Sequence, residues 1–410
     1  MRVTVLAAVA AMGWAASPAG AAPLSLPEAI ARGLEASPLL NAKDAAISAA
    51  GGGIEQARVR PNPELGVEIE NFTGSGPYSS FGQTETTITY SQELERGGKR
   101  RARVALAEAE RGIARLERVK SEADVAFETQ RAWNQVQAAE AETANAAERL
   151  KLAEDMSAIA QRRVKAARDP LVAGLKAENQ VADAMAGLEQ ARLRRDAARA
   201  ALAVLWGEEA ADVEVDPERF FQMVGAPAGS GAPELAVSEA RIERADRSYE
   251  LEKVRAKSDP TIGLGVRRFE DGGDVAGILS ISMPLAFFDK NRGNIDRAMA
   301  ERQEAQWMLE EDRRRQAVAL RTARADQAAA KAEVEAIGAD MIPRAAEAAR
   351  SARDGYDRGA FSYLDVADTQ RALVDLRARQ IEALKKFHEA QAVIDRFTGR
   401  WTGSSAKGEF

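Results

Sequence analysis

Ile54-Glu55-Gln56-Ala57-Arg58-Val59-Arg60-Pro61-Asn62-Pro63 has a counterpart later in the chain, Leu251-Glu252-Lys253-Val254-Arg255-Ala256-Lys257-Ser258-Asp259-Pro260. The correspondence continues with Leu65-Gly66-Val67 against Ile262-Gly263-Leu264, and upstream Pro38 pairs with Pro233 near the start of each helix. One such match can arise by chance. Here the same order of elements follows it in both halves, so the chain reads as a duplication. The repeats run from 23 to 225 and from 233 to 401. Residues 226–232 form a Pro- and Gly-containing linker between them, and 402–410 read as a disordered tail.

Each half is expected to begin with a helix, over about 25–59 and 234–257. Two short segments follow in which the apolar period changes to two. Leu65, Val67 and Ile69 alternate with Glu64, Gly66, Glu68 and Glu70, and Ile88 and Tyr90 alternate with Thr87, Thr89 and Ser91. In the second half Ile262, Leu264 and Val266, then Leu279, Ile281 and Met283, alternate with Gly, Ser, Thr and Arg. Turn-rich sequence, Gly74–Gly82 and Glu270–Asp274, closes each pair into a hairpin. A very long helix comes next, then a shorter partner. The first long helix is expected from Lys99 to Lys165, because no proline occurs between Pro77 and Pro170. At about 1.5 Å per residue it would span roughly 100 Å. Leu106, Ala109, Ile113, Leu116, Ala123 and Phe127 mark a heptad-like stripe along it. The second long helix starts near Gly293, with a break or kink expected at Ile337-Gly338 and Pro343.

Strands of this length and alternation suit a tilted membrane strand, with one side toward lipid and the other toward a lumen. For any one strand an ordinary half-buried sheet is the better reading; four in two matched hairpins shift the balance. A sheet in lipid must close, because open edges leave backbone groups unpaired. Four strands are too few to close alone, so further copies of the chain are needed.

Hydrophobic residues make up 45% of the chain but aromatics only 5%, which favours long helices packed through small side chains. The formal charge of −6 lacks the basic footprint of a nucleic-acid binder. There is no Cys, so disulfides, thiolate chemistry and a Cys-borne lipid anchor are excluded. The single His, His388, cannot build a His- or Cys-rich metal centre. No Gly-x-Ser-x-Gly or phosphate-binding loop occurs, and neither an enzyme nor a cofactor is expected. Residues 1–22 read as a secretory signal: Arg2, a mostly apolar Val3–Ala16, then small residues with cleavage after Ala21 or Ala22.

The order signal, helix, hairpin, long helix, short helix, repeated once, resembles the TolC-type outer-membrane efflux proteins. Arg60-Pro61-Asn62-Pro63-Glu64-Leu65, Gln92–Arg100 and Met283–Ile295 look more narrowly like the cobalt–zinc–cadmium resistance (CzcC-like) branch, whose non-acylated members also lack the lipid-bearing Cys. The resemblance implies a mainly α fold with a small β part. It would be a homotrimer, with an α-helical barrel across the periplasm and a shared twelve-stranded β-barrel in outer-membrane lipid. It implies two partners, a periplasmic adaptor and a proton-driven inner-membrane pump of the resistance–nodulation–division type, and divalent metal cations as cargo.

The resemblance also points to residues. Gly355-Tyr356 followed by Asp365 and Asp368 looks like the closing end of TolC-type tunnels, so both aspartates would project into the bore. Their spacing of three places them on one helix face, where rings of negative charge attract cations. The alternative is that Asp365 caps the returning helix and Asp368 lies in its first turn. Tyr356 matches a tyrosine that helps hold the tunnel closed. The arginine of that contact is Phe361 here, with Arg358 as the nearby cation. By resemblance the equivalent turn of the first half, Asp169-Pro170-Leu171, touches the adaptor, as do Ser362 and Tyr363. Pro170 alone would be explained by a helix start. A drug-efflux or protein-secretion duct of the same fold, a periplasmic adaptor, and a soluble coiled-coil protein are the competing readings.

Overall fold

The computed structural model describes residues 23–208, 213–223, 229 and 231–403. The expected signal segment, linker residues 226–228 and 230, and tail residues 404–410 lie outside the described residues. The helices are α1 (Leu26–Ala36), α2 (Pro38–Arg58), α3 (Lys99–Lys165), α4 (Leu171–Val204), α5 (Pro217–Phe220), α6 (Pro233–Arg255), α7 (Arg292–Ala336), α8 (Ile342–Arg358) and α9 (Tyr363–Thr398). The strands are β1 (Glu64–Glu70), β2 (Glu85–Glu93), β3 (Thr261–Phe269) and β4 (Val275–Ser282). Two compact units each draw on both halves of the chain. One takes in residues up to Glu35, Thr129–Val224 and Ala330–His388; the other takes in Ala36–Glu128, Gly225–Ala329 and the residues from Glu389.

Proline sets several boundaries. The single first helix expected over 25–59 is two, because Pro38 has no N–H to continue α1. Ser37 caps α2 by accepting the Leu40 N–H, with Pro38 in its first turn. Pro233 likewise lies in the first turn of α6, whose N-cap Ala232 makes no side-chain cap. The break expected near Ile337 is a π turn, Ile337–Met341, in which the Ile342 N–H reaches back to the Ile337 carbonyl. A proline at 343 would drive its ring into the carbonyl four residues earlier; the widened turn moves that carbonyl aside.

In the second unit the two hairpins form one antiparallel sheet in chain order, β1-β2-β3-β4. Leu65, Tyr90, Leu264 and Leu279 make one cross-strand row, and each is between 52% and 73% exposed. Val67, Ile88 and Val266 form the next row and are also exposed. The opposite face is polar: Arg267 donates to Thr87 Oγ1 (2.9 Å) and pairs with Glu85 (2.6 Å) and Glu70 (2.7 Å). Within the chain the outer edges of β1 and β4 have no strand partner among the described residues. Below the sheet, Asp259 receives the Arg96 N–H (2.7 Å) and Lys99 Nζ (2.5 Å), tying the entry to α3 to the entry to β3. The matched residues Ile54 and Leu251 are both buried. Along α3 the expected stripe is only half-buried at Leu106, Ile113 and Leu116, whereas Ala107, Ala123 and Ala126 are buried.

The first unit is helical. Trp133, Val136, Leu202, Val213 and Val215 pack around Leu24 and Ala29. A second cluster joins Phe220 to Val334, Ile381 and Leu384. There the His388 imidazole lies 5.3 Å from the Phe220 ring, with Nε2 2.9 Å from the Phe220 carbonyl. A third cluster, Met156, Ile159, Ala352, Tyr356 and Val366, supports the two helix turns.

A candidate gate at two helix turns

Within the helical unit, α3 passes to α4 through Ala166–Pro170, and α8 passes to α9 through Gly359–Ser362. Both first helices end with the same geometry. The Ala360 N–H bonds to the Gly355 carbonyl (2.7 Å), and the Arg168 N–H bonds to the Arg163 carbonyl (2.9 Å). Each closure places one residue in the left-handed region. In the second turn it is Gly359 (φ 84°), which has no Cβ to clash; in the first it is Ala167 (φ 55°). Gly355 is needed for a different reason. A Cβ there would meet the Phe361 ring at 2.2 Å, so Phe361 lies directly on the helix backbone and folds the turn against α8.

Tyr356 is 1% exposed. Its phenol donates to Asp169 Oδ2 (2.5 Å). Arg163 grips the same carboxylate with Nε to Oδ2 and Nη2 to Oδ1, both 3.0 Å. Its Nη1 donates to the Tyr356 carbonyl (2.7 Å), and its guanidinium lies 4.5 Å from the centre of the Tyr356 ring. Three side chains from two turns thus form one closed polar knot on an apolar floor. The forked guanidinium matches the carboxylate at both oxygens, which fixes orientation as well as charge. The hydrogen bonds from Arg163, then that from Tyr356, hold the Asp169 carboxyl below the usual carboxylate range. Burial, followed by the bond to Asp169, pushes the Tyr356 phenol up, so it stays protonated and a donor.

Asp365 is engaged as a cap. Its Oδ2 accepts the Ser362 N–H (2.8 Å) and hydroxyl (2.7 Å), while the Ser362 Oγ accepts the Asp365 N–H (3.3 Å). This reciprocal box opens α9, and those bonds lower the Asp365 pKa. Asp365 and Asp368 are both exposed, and Asp368 has no ion-pair partner among the described residues. Arg358 is exposed and donates to the Asp354 carbonyl (3.1 Å), one turn back on its own helix. Pro170 is the N-cap residue of α4, and Leu171 beside it is 69% exposed. Ser362 is exposed, and Tyr363 is half-buried with its ring 6.3 Å from that of Tyr356.

The structure therefore brings Tyr356 and Asp169 together and adds Arg163, which sequence reasoning passed over. Arg163 stood beside Arg162 and Lys165 in the last turn of α3, where any cation suits the carbonyl end of a helix. Only the fold of the turn separates it from its neighbours. Among the described residues no group of three or more His, Cys, Asp or Glu side chains is gathered to hold a metal ion. No described helix is long and apolar enough to cross a membrane.

Comparison with known proteins places this architecture. The sequence pattern of the Outer membrane efflux protein family matches residues 29–208 and 228–400. The chain is 29% identical over 387 residues to the cobalt-zinc-cadmium resistance protein CzcC of Cupriavidus metallidurans, spanning 93% of this chain and 91% of that one. It is 29% identical over 272 residues to the nickel-cobalt-cadmium resistance protein NccC of Alcaligenes xylosoxydans xylosoxydans, spanning 65% and 62%. Its fold resembles that of the outer membrane protein VceC from Vibrio cholerae, with a TM-score of 0.72 at 18% identity over 91% of this chain and 96% of that one. With both halves matched and most of the chain covered, this protein belongs to the outer membrane efflux protein family.

Proposed function

We propose that this chain is the outer-membrane subunit of a tripartite exporter of divalent heavy-metal cations. As a member of its family it is an outer-membrane efflux channel. In the finer reading three copies join their sheets edge to edge into a twelve-stranded barrel in outer-membrane lipid, after removal of residues 1–22. The repeats 23–225 and 233–401 supply the helical tunnel. A periplasmic adaptor meets the turns at Pro170, Leu171, Ser362 and Tyr363. A proton-driven pump of the inner membrane delivers the cargo, and the duct is passive.

The observation that carries this reading is the sheet. One face is bare and apolar, the other is polar and ion-paired, and both edges lack a strand partner among the described residues. In water the apolar face would be unfavourable. In lipid the open edges would be worse, because each unpaired backbone group costs several kcal/mol, about what one hydrogen bond is worth in an apolar medium. Closure with other copies removes both costs. The cargo is supported by the resistance functions in the names of CzcC and NccC.

In this scheme the knot of Arg163, Asp169 and Tyr356 holds the closed state. Asp365 and Asp368 line the mouth with negative charge that favours cations, and Arg358 lies beside them. The mass of detergent-extracted protein from an outer-membrane fraction, by light scattering corrected for detergent, is expected to be that of a trimer; a monomer in the soluble fraction overturns the duct. Loss of the chain should lower tolerance to cobalt, zinc or cadmium salts and leave drug tolerance unchanged. The reverse pattern would reassign the cargo.

A further inference from the structure

The segment leading from β4 into α7, Met283-Pro284-Leu285-Ala286-Phe287-Phe288, is bare along its length, with Phe287 72% and Phe288 102% exposed. It directly continues the exposed apolar face that ends in Leu279 and Ile281. Cations follow at once. Lys290 and Arg292 are exposed and have no ion-pair partner among the described residues, whereas the intervening Asp289 accepts the Asn291 N–H (2.8 Å). The adjacent β2–α3 turn contributes Arg96, exposed and likewise without an ion pair, its Nη1 4.0 Å from Met283 Sδ. At the other end of the sheet the β3–β4 turn is acidic, with Glu270, Asp271 and Asp274. Exposed aromatics mark both ends of the sheet, with Phe72, Tyr78 and Phe81 in the β1–β2 loop; the ends differ in charge, with the unpaired cations where the sheet meets the helices and carboxylates at the β3–β4 tip.

An exposed aromatic pair continuous with a lipid-facing surface fits the girdle that marks the edge of the hydrocarbon zone in barrel proteins. Cations just beyond that edge lie at the depth of lipid phosphates, and each adds attraction to an anionic leaflet. We propose that this segment is a foot that docks on the anionic phospholipid of the leaflet facing the helices. Phe287 and Phe288 enter the acyl-chain boundary, and Arg96, Lys290 and Arg292 hold headgroup phosphates. The inference rests on the duct reading. It goes beyond that reading in assigning a lipid class and the residues that select it.

The absence of Cys makes the test clean. The full chain carrying F288C, labelled with a polarity-sensitive fluorophore, is reconstituted into vesicles of phosphatidylethanolamine with phosphatidylglycerol, or of phosphatidylcholine. The label is expected to be quenched by lipids spin-labelled high on the acyl chain and shielded from aqueous iodide. In unlabelled protein, spin-labelled phosphatidylglycerol should be retained over phosphatidylcholine, and K290E/R292E should reduce that preference by more than about fivefold. A trimer that floats with the vesicles but leaves the label open to iodide, or an unchanged lipid preference in K290E/R292E, overturns the foot and leaves the duct standing. F287S/F288S that dissociates the trimer without altering lipid preference places the aromatics in a subunit contact and also overturns it. Protein that remains in the buffer fraction with every lipid overturns the duct and the foot together.

Discussion

Arg163 meets the Asp169 carboxylate with two hydrogen bonds and the Tyr356 carbonyl with a third, so removing it leaves a part-buried carboxylate and the carbonyl of a buried residue short of donors. A bond to a charged group contributes about 1.5–3 kcal/mol. Arg163→Gln and Tyr356→Ala are therefore both expected to raise single-channel conductance or leakiness in planar bilayers; unchanged conductance in both would remove the gate role. Asp169 adds a pH statement. Its folded pKa is depressed, so its contribution is present above the ordinary carboxylate range and lost only as pH falls through the lowered value. Wild-type leakiness should stay flat from about pH 8 to pH 5 and rise only below about pH 4. His388 behaves differently. Burial depresses its pKa, so the neutral ring is favoured, and acid charges the unfolded chain first. Stability is then lost as pH falls below about 6.5. Melting temperature should decline less in His388→Gln than in wild type between about pH 6.5 and pH 5. Of these residues, Tyr356 was named through the resemblance, Asp169 only as part of an adaptor-contact turn, and Arg163 not at all. The pairing of Tyr356 with Asp169 was not legible, because they lie in different halves of the chain and no local pattern links them.

At the scale of elements, the two turns offer an internal comparison. Gly359 and Ala167 occupy the same left-handed position, and a Cβ there costs roughly 1–2 kcal/mol. Ala167→Gly should therefore raise stability by about 1 kcal/mol, less the entropy that glycine adds to the unfolded chain, as read by hydrogen exchange of the α3–α4 turn. Gly359→Ala should lower it. Phase along α8 is testable. Each helical residue advances about 100°, so inserting one alanine between Ala345 and Ala346 would swing Tyr356 away from Asp169. That insertion should reproduce the conductance of Tyr356→Ala, whereas the conservative Ile337→Val should not. The boundaries at Pro170 and Pro233 were legible because those prolines announce them, whereas the break at Pro38 was read through as one helix over 25–59. The site of the irregularity was legible from Gly338 and Pro343. Its form was not, since proline forbids a straight helix without choosing between a break, a kink and a widened turn.

For the whole molecule the sheet carries the argument. Alternation in the sequence told which residues share a face, and the duplication implied that two hairpins exist. The pairing of β2 with β3, which places Tyr90 opposite Leu264, depends on residues far apart in sequence and was invisible to a reading of periods. Once joined, the strands make adjacent residues probes of opposite environments. Leu279 stands on the bare apolar face. Ser280 stands on the polar face over Gly263, whose missing side chain leaves room. A charge on the lipid side of a barrel costs about 2–4 kcal/mol near the bilayer midplane, whereas one on the lumen side is solvated. Leu279→Arg is thus expected to block or slow insertion into lipid vesicles, an effect felt in all three chains of a trimer. Ser280→Arg should insert normally and alter only ion selectivity. The comparison uses folding yield in vesicles, and the two variants differ by one position in the chain. Equal tolerance of both would mean that the apolar face does not meet lipid. Failure of Ser280→Arg alone would mean that the faces are reversed.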